Sequence, residues 1–374
     1  MNTHTQAQKT RFHWIDWSKG LAILAIVIFH FFQNYPERIT LISVLDRNTA
    51  KLGYAAVDIF FVIAGFTTSY TLASKFKNNR IESIKINWKS WISKRLMRIY
   101  PAYFLAVICS ILLYYLFSIF PIKSPVNFVL SCLGIAGIRL QAINPGFWFF
   151  TVILQAYLFT PLIFWICQNQ PKKVLILGII GGIFSKIIAF YFLVINDKST
   201  YIILLQNNFL CSYLSQLCIG IYWGFIYAEH QRFRKIDFIV ATSIFSIGFV
   251  IYAVLGFTKI NIIYMLGFDM LFTPFFFLGM QSLLNRLEQS AKFDLFLGCL
   301  SILGIYSYQI YLIHQPLYFV LLPIINRNIQ INDYLKIVVT FMMIILILTS
   351  YVFLFTKLEQ LVIKNLGGVM TKQN

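Results

Sequence analysis

Residues 15–30 of the chain read IDWSKGLAILAIVIFH, an apolar run that carries ionisable side chains at Asp16, Lys19 and His30. A helix crosses the membrane core with about 20 predominantly apolar residues, and this run reaches that length when it is continued to residue 34. Runs of comparable length recur along the chain, which predicts an all-α polytopic membrane protein with about ten transmembrane helices. The predicted spans are 15–34, 53–74, 100–120, 147–167, 174–195, 206–228, 236–256, 261–284, 297–325 and 335–357.

The overall composition excludes a soluble globular protein. Of 374 residues, 59% are hydrophobic and only 12% are charged, and the mean hydropathy is +0.74. A soluble domain cannot bury so much apolar surface. No long polar stretch separates the predicted spans, so we expect one transmembrane domain over residues 1–374, with cytoplasmic tails at 1–14 and 358–374.

The distribution of basic residues predicts the topology, because cytoplasmic loops of membrane proteins carry an excess of Lys and Arg. Residues 121–146 contain only a short apolar stretch, bounded by Pro125 and Pro145. If this segment is extracytoplasmic or re-entrant, the basic loops at 172–173 and 232–235 lie inside the cell. Both termini are then cytoplasmic.

The charge balance and the cysteines bear on the partners of the protein. Lys and Arg number 31 against 13 Asp and Glu, but they lie between apolar spans and not on one polar domain. We therefore expect contacts with membrane lipids or an anionic substrate, and no nucleic acid. The six cysteines lie singly in apolar runs, without the spacing of a disulfide framework or a zinc site, so no metal is predicted.

The first helix carries the strongest functional signal. Ionisable residues inside a membrane span are candidates for function because their burial is costly. Asp16, Lys19 and His30 share one helical stripe, and His30 lies roughly 16 Å further along the axis than Lys19. With the amino terminus inside, Lys19 and Asp16 lie at the cytoplasmic mouth and His30 lies in the outer half. His30 is the candidate catalytic base, and the alternative is a structural histidine bonded to a carbonyl one turn back.

Asp58 is the predicted partner of His30. The second helix runs inward, so Asp58 enters the membrane from the outer face at a depth similar to that of His30. A carboxylate at that position would hold the imidazole tautomer and stabilise its charged form. We therefore predict a catalytic pair of His30 and Asp58.

Two arginines follow a basic cytoplasmic loop. Arg95 and Arg98 have helical i,i+3 spacing, so their guanidinium groups lie on one face and suit the phosphates of a nucleotide carrier. The alternative carries equal weight, because cytoplasmic loops are basic in any membrane protein.

These blocks together resemble the acyltransferase-3 family of integral membrane O-acyltransferases, and the likeness covers nearly the whole chain. The sequence departs from the family pattern at Lys19, where the usual residue is arginine, and at Ile153, where many members carry an acid. Lysine keeps the charge but loses the bidentate fork. The blocks that carry the resemblance are Asp16 with Lys19-Gly20 and His30, then 57–66, 95–101, 147–161 and 303–316.

The resemblance implies an acyl donor, acetyl-CoA, bound from the cytoplasm and a cell-envelope glycan as acceptor. It also implies the cytoplasmic membrane of a bacterium as location, with other envelope-biosynthesis proteins as possible partners. On this basis we assign the donor to Lys19, Arg95, Arg98 and Asp16, and the acceptor to Trp148, Tyr311 and His314.

Several alternatives stay open at this point. His314 lines the acceptor path or bonds a neighbouring helix, and Trp148 anchors the interface or stacks on a sugar. His30 acts on the acceptor hydroxyl directly or forms an acyl-histidine. A glycan carrier or flippase without chemistry would also contain intramembrane charges, and a longer donor such as succinyl-CoA would fit the same residues.

Overall fold

A computed structural model describes residues 12–76, 86–119, 125–136, 143–195, 209–255 and 269–370. Its α-helices are α1 (His13–Asn34), α2 (Thr40–Phe76), α3 (Trp88–Leu116), α4 (Pro125–Cys132), α5 (Trp148–Ile166), α6 (Pro171–Val194), α7 (Leu214–His230), α8 (Lys235–Leu255), α9 (Asp269–Leu287), α10 (Asp294–Ile305), α11 (Ser307–Asn328) and α12 (Asp333–Met370). Short 3₁₀ turns at Pro145–Phe147, Leu210–Tyr213 and Ala291–Phe293 lead into α5, α7 and α10. These described ranges contain no β-strand.

The predicted fold class, an all-α polytopic membrane protein, is confirmed. Eight helices of the described ranges are long and apolar enough to cross a membrane. The predicted spans 174–195 and 261–284 correspond to α6 and α9, and residues 196–208 and 261–268 lie outside the described residues.

The predicted span 297–325 is two helices. The helix is interrupted at Tyr306, between the 12-residue α10 and the 22-residue α11. The hydroxyl of Ser307 donates to the Gly304 carbonyl at 2.8 Å, which caps the end of α10. Of these two helices, only α11 is long enough to cross a membrane.

The segment 121–146 holds the eight-residue helix α4, which is about 12 Å long and too short to cross a membrane. Gly134 follows this helix with φ of 76°, a conformation that favours glycine. Residues 121–124 and 137–142 lie outside the described residues. At the carboxyl end, α12 continues through the predicted tail as far as Met370.

Glycines allow α1 and α2 to approach their neighbours closely. A Cβ on Gly304 of α10 would overlap the backbone carbonyl of Asp16, and a Cβ on Gly20 would overlap that of Leu300. A Cβ on Gly65 of α2 would overlap the Leu217 carbonyl of α7 in the same way. Small residues at such crossings are typical of membrane helix pairs. The glycines beside Lys19 and in the second block therefore fix the packing around α1.

The connection between α1 and α2 is tied to the ends of α11 and α12. Glu37 accepts hydrogen bonds from the Lys336 ammonium at 2.7 Å and from the Asn326 amide at 3.0 Å. These two donors lower the pKa of the Glu37 carboxyl below its ordinary value. The contacts help to hold α1 parallel to α11, which positions the site described next.

Candidate active site

Two histidines from distant parts of the sequence meet inside the helix bundle. The His30 Nδ1 atom of α1 lies 2.7 Å from the His314 Nε2 atom of α11. The rings are nearly parallel, with an interplanar angle of 16° and centroids 5.0 Å apart. His314 is fully buried, and His30 is half-buried. The pair is therefore a hydrogen-bonded dyad with one member accessible.

The hydrogen bonds fix the tautomers of the neutral pair. His314 Nδ1 lies 2.9 Å from the Ile310 carbonyl, which can only accept, so His314 Nδ1 carries the proton. His314 Nε2 is then an acceptor, and His30 Nδ1 must donate to it. The remaining nitrogen of His30, Nε2, keeps its lone pair. This arrangement gives His30 the electronic form of a general base.

Asp58 does not take part in this dyad, contrary to the predicted pairing. Its carboxylate, 1% exposed, accepts hydrogen bonds from the Gln216 amide at 3.2 Å and the Thr273 hydroxyl at 3.1 Å. Asp58 therefore links α2 to α7 and α9, whereas the ring of His30 bonds to α11. Similar depth along two antiparallel helices did not decide which neighbour each side chain faces.

The residues predicted for the acceptor lie in an aromatic row that ends at His314. Tyr311 packs edge-on against the His314 ring at 5.8 Å, and Phe149 lies 4.8 Å from Tyr311. Trp148, next to Phe149 in α5, stacks with Tyr213 at 5.8 Å and 15°. The structure thus joins Tyr311 directly to the dyad and connects Trp148 to it through Phe149.

The predicted donor residues occupy the amino-terminal ends of α1 and α3. The Arg95 guanidinium lies over the rings of Trp91, at 5.3 Å, and Tyr157, at 5.8 Å. Arg98, one turn further, is exposed. These cation–π contacts restrict the orientation of the Arg95 fork, which suits recognition of a planar or phosphate group.

Lys19 and Asp16 form an ion pair within the first turns of α1. The Lys19 ammonium lies 3.6 Å from the Asp16 carboxylate, and both side chains are largely covered. Asp16 thereby keeps the Lys19 charge close to the helix axis. The two residues are positioned by the crossing of α1 and α10 at Gly20 and Gly304.

An apolar cavity lies beside the stripe that runs from Lys19 to His30. Its volume is about 450 Å³, and α1, α10, α11 and α12 line it. Ile23 and Val27 of α1 face it, and Lys357 and Gln360 of α12 lie at one end. Val27 is one turn before His30, so the other end of the cavity approaches the dyad.

Sequence reasoning missed two polar residues next to the dyad, Asn144 and Gln315. Gln315 directly follows His314, and Asn144 precedes the 3₁₀ turn that leads into α5. Both are buried. The position of Gln315 inside the 303–316 block was the available signal, but Asn144 lies outside every block.

Comparison with known proteins gives one match. A family model described as an acyltransferase domain, of the acyltransferase-3 type, matches residues 12–356. No curated protein matches the chain, and no solved structure matches it.

Proposed function

Since this chain belongs to the acyltransferase-3 family and is a membrane acyltransferase, we propose that it transfers acetyl from cytoplasmic acetyl-CoA to a hydroxyl of a cell-envelope glycan. The location proposed with it is the cytoplasmic membrane of a bacterium. The observation that carries the proposal is the dyad of His30 and His314, with its 2.7 Å hydrogen bond and its free His30 Nε2 lone pair. A carrier without chemistry has no need of this arrangement.

The proposed reaction is a direct transfer. His30 Nε2 removes the proton of the acceptor hydroxyl while the hydroxyl oxygen attacks the carbonyl carbon of the thioester. The new C–O bond forms, the C–S bond breaks, and the sulfur leaves with the electron pair of that bond. The proton on His30 Nε2 then passes to the sulfur and CoA is released. His314 stabilises the transient imidazolium, because its Nε2 accepts from His30 Nδ1 throughout.

The proposed donor site extends from the amino-terminal ends of α1 and α3 to the dyad. Arg95, Arg98 and Lys19 supply positive charge for the nucleotide phosphates, and Asp16 orients Lys19. The arm that carries the thioester would run along the apolar cavity, whose lining residues Ile23 and Val27 lie between Lys19 and His30. This route would bring the thioester toward His30, which lies about one turn beyond Val27.

The proposed acceptor site lies in the outer half of the bundle, beside Tyr311 and Trp148. Trp148, the half-buried member of the aromatic row, would provide a flat apolar face for the C–H side of a sugar ring, and the buried Phe149 and Tyr311 pack behind it. His314 belongs to the dyad in this proposal, so its predicted role on the acceptor path is indirect.

Chemical analysis of envelope glycans tests the proposal. Cells with the gene should carry glycan O-acetyl groups that cells without it lack, and a His30→Ala variant at equal membrane level should behave like the deletion. Unchanged O-acetylation in the deletion would overturn the proposed function. Mass spectrometry of the quenched protein would separate direct transfer from an acyl-histidine, which adds an acetyl group to His30.

A further inference from the structure

Asn144 and Gln315 each present a buried polar atom that has no partner in the part of the chain that the structure describes. Among the described residues, the Asn144 Nδ2 donor and the Gln315 Oε1 acceptor make no hydrogen bond, although the two residues are 0% and 5% exposed. A buried polar atom without a partner costs about 1–3 kcal/mol. Unpaired polar atoms next to a candidate catalytic residue indicate a group that the protein is built to receive.

A hydrogen bond to the side-chain oxygen of Asn144 fixes the orientation of its amide group. Its Oδ1 atom accepts from the Gly146 backbone N–H at 3.1 Å, so the amide nitrogen is directed away from that turn. Asn144 therefore offers a donor, and Gln315 offers an acceptor. The two are complementary to one group that both accepts and donates.

Gly146 lets the two side chains pack closely against the turn. A Cβ on Gly146 would lie 2.5 Å from Gln315 Oε1 and 3.5 Å from Asn144 Nδ2. The two polar atoms are therefore within about 6 Å of each other, a separation that two hydrogen bonds to one oxygen can bridge. A residue larger than glycine at position 146 would displace the Gln315 side chain.

This polar pair adjoins the dyad. Gln315 follows His314 in α11, and the turn that holds Asn144 and Gly146 packs against the same helix. Phe147 and Trp148, the next residues, begin the aromatic row that ends at Tyr311.

We propose that Asn144 and Gln315 bind a hydroxyl of the acceptor sugar adjacent to the hydroxyl that reacts. The bound hydroxyl donates its proton to Gln315 Oε1 and accepts from Asn144 Nδ2, so one oxygen satisfies both atoms. The pair then selects acceptors with two neighbouring hydroxyls and aligns the second one with His30. This inference rests on the proposed function, since it presupposes a glycan acceptor.

Two conservative variants test the proposal in membranes that contain the full-length protein. Gln315→Met keeps the size of the side chain but removes Oε1, and Asn144→Ser keeps an oxygen for the Gly146 N–H but removes Nδ2. The acceptor is the envelope glycan of the same cells after mild alkaline removal of its esters, and the donor is radiolabelled acetyl-CoA. Each variant should raise the KM for glycan about tenfold, one hydrogen bond's worth, and leave the KM for acetyl-CoA unchanged.

Thermal unfolding separates this role from a structural one. Gln315→Met should unfold at the same temperature as the parent or higher, because it removes an unpaired buried atom. Gln309→Met, on the same helix, is the matched control, since Gln309 Oε1 is likewise buried without a partner among the described residues, whereas the Gln309 amide nitrogen donates to Glu359 at 3.0 Å. That variant should lower the unfolding temperature and leave the KM for glycan unchanged.

The outcomes distinguish the two proposals. If the parent transfers acetyl to glycan but Gln315→Met and Asn144→Ser have the parent's KM for it, the hydroxyl site is wrong and the proposed function stands. An increase in the KM for acetyl-CoA in place of the KM for glycan would also overturn it. A parent protein that transfers no acetyl to any glycan would overturn both.

Discussion

The His30 Nδ1 atom is hydrogen-bonded at 2.7 Å to the Nε2 atom of His314, which lies 284 residues later in the chain. The bond to the Ile310 carbonyl behind His314 makes this a relay of fixed direction. His314 therefore positions His30 without needing to touch either substrate. Because the relay supplies the acceptor for His30 Nδ1, the structure replaces the predicted carboxylate with an imidazole.

Replacement of His314 tests this positioning role. In His314→Leu the His30 Nδ1–H loses its acceptor, and the ring is free to rotate or change tautomer. We expect acetyl transfer to fall roughly 10²-fold or more, with acetyl-CoA binding preserved. In His314→Gln the side-chain carbonyl can accept from His30, so this variant should retain more activity than the leucine variant. Equal activity of both variants, at equal membrane levels, would contradict the relay.

Arg95 and its neighbour Lys94 allow a matched test of donor binding. The Arg95 guanidinium lies over the rings of Trp91 and Tyr157, whereas Lys94 is exposed on the same turn of α3. Arg95→Ala should weaken CoA binding by roughly ten- to a hundredfold, because a charge-assisted contact of about 1.5–3 kcal/mol is lost. Lys94→Ala should have little effect.

Arg95→Lys and Arg98→Ala refine the assignment. Arg95→Lys keeps the charge but loses the planar stack, so its CoA affinity should lie between those of the parent and Arg95→Ala. Arg98→Ala should weaken binding less than Arg95→Ala, since its exposed side chain is less ordered. Calorimetric titration of CoA measures all of these variants. Equal affinities of Arg95→Ala and Lys94→Ala would leave the basic loop as a topology signal only.

The sequence was sufficient for the fold class and for the stripe on α1. Apolar windows locate helices because hydrocarbon excludes unpaired backbone groups, and the 3.6-residue period places Lys19 and His30 on one face. Hydropathy did not reveal the interruption at Tyr306, because the residues on both sides of it are predominantly apolar. The interruption lies where Gly304 contacts α1. Because such a contact involves two helices, the hydropathy of a single segment cannot predict it.

The sequence could not identify the hydrogen-bond partner of His30, for a related reason. Depth in the membrane follows from residue number and direction, but the rotation of each helix about its axis depends on all of its neighbours. Asp58 has a predicted depth similar to that of His30 and nevertheless bonds to Gln216 and Thr273. His314 could be identified from the sequence as a candidate residue. Its bond to His30, however, depends on the parallel packing of α1 and α11, which the sequence does not show.

We therefore expect Asp58 to stabilise the fold. Asp58→Asn replaces one acceptor by a donor that faces Gln216 or Thr273, and it should cost about 1–3 kcal/mol of stability. Activity per folded molecule should change little. The matched control on α2 is Asp46→Asn, in an exposed pair with Arg38 at 3.0 Å, which should cost about 1 kcal/mol at most. Thermal unfolding in detergent and turnover per folded molecule decide between the roles: lost turnover with unchanged stability would restore Asp58 to catalysis.

Two glycines of α10 provide a test of how α1 is positioned. Gly304→Ala would force its methyl group against the Asp16 carbonyl, a rigid backbone atom, so α1 and the Lys19 ion pair must shift. The Gly298 position of the same helix has no atom within 4 Å of an added Cβ. Gly298→Ala should keep full activity and slightly stabilise the helix, by up to about 1 kcal/mol. Gly304→Ala should lower both the unfolding temperature and CoA affinity, and parent-like behaviour of this variant would show that the crossing tolerates separation.

The apolar cavity is the proposed route of the donor arm, and two neighbouring positions on α12 test it. Thr349 lines the cavity and is exposed at its edge, whereas Ser350, equally exposed, lies outside the lining. Thr349→Trp should fill part of the space and raise the KM for acetyl-CoA about tenfold, a loss of ~1.4 kcal/mol in binding. Ser350→Trp adds the same bulk to the outer surface and should leave that KM unchanged. Because both substitutions change exposed side chains, both proteins should fold. Identical donor kinetics for the two variants would exclude this cavity as the route of the arm.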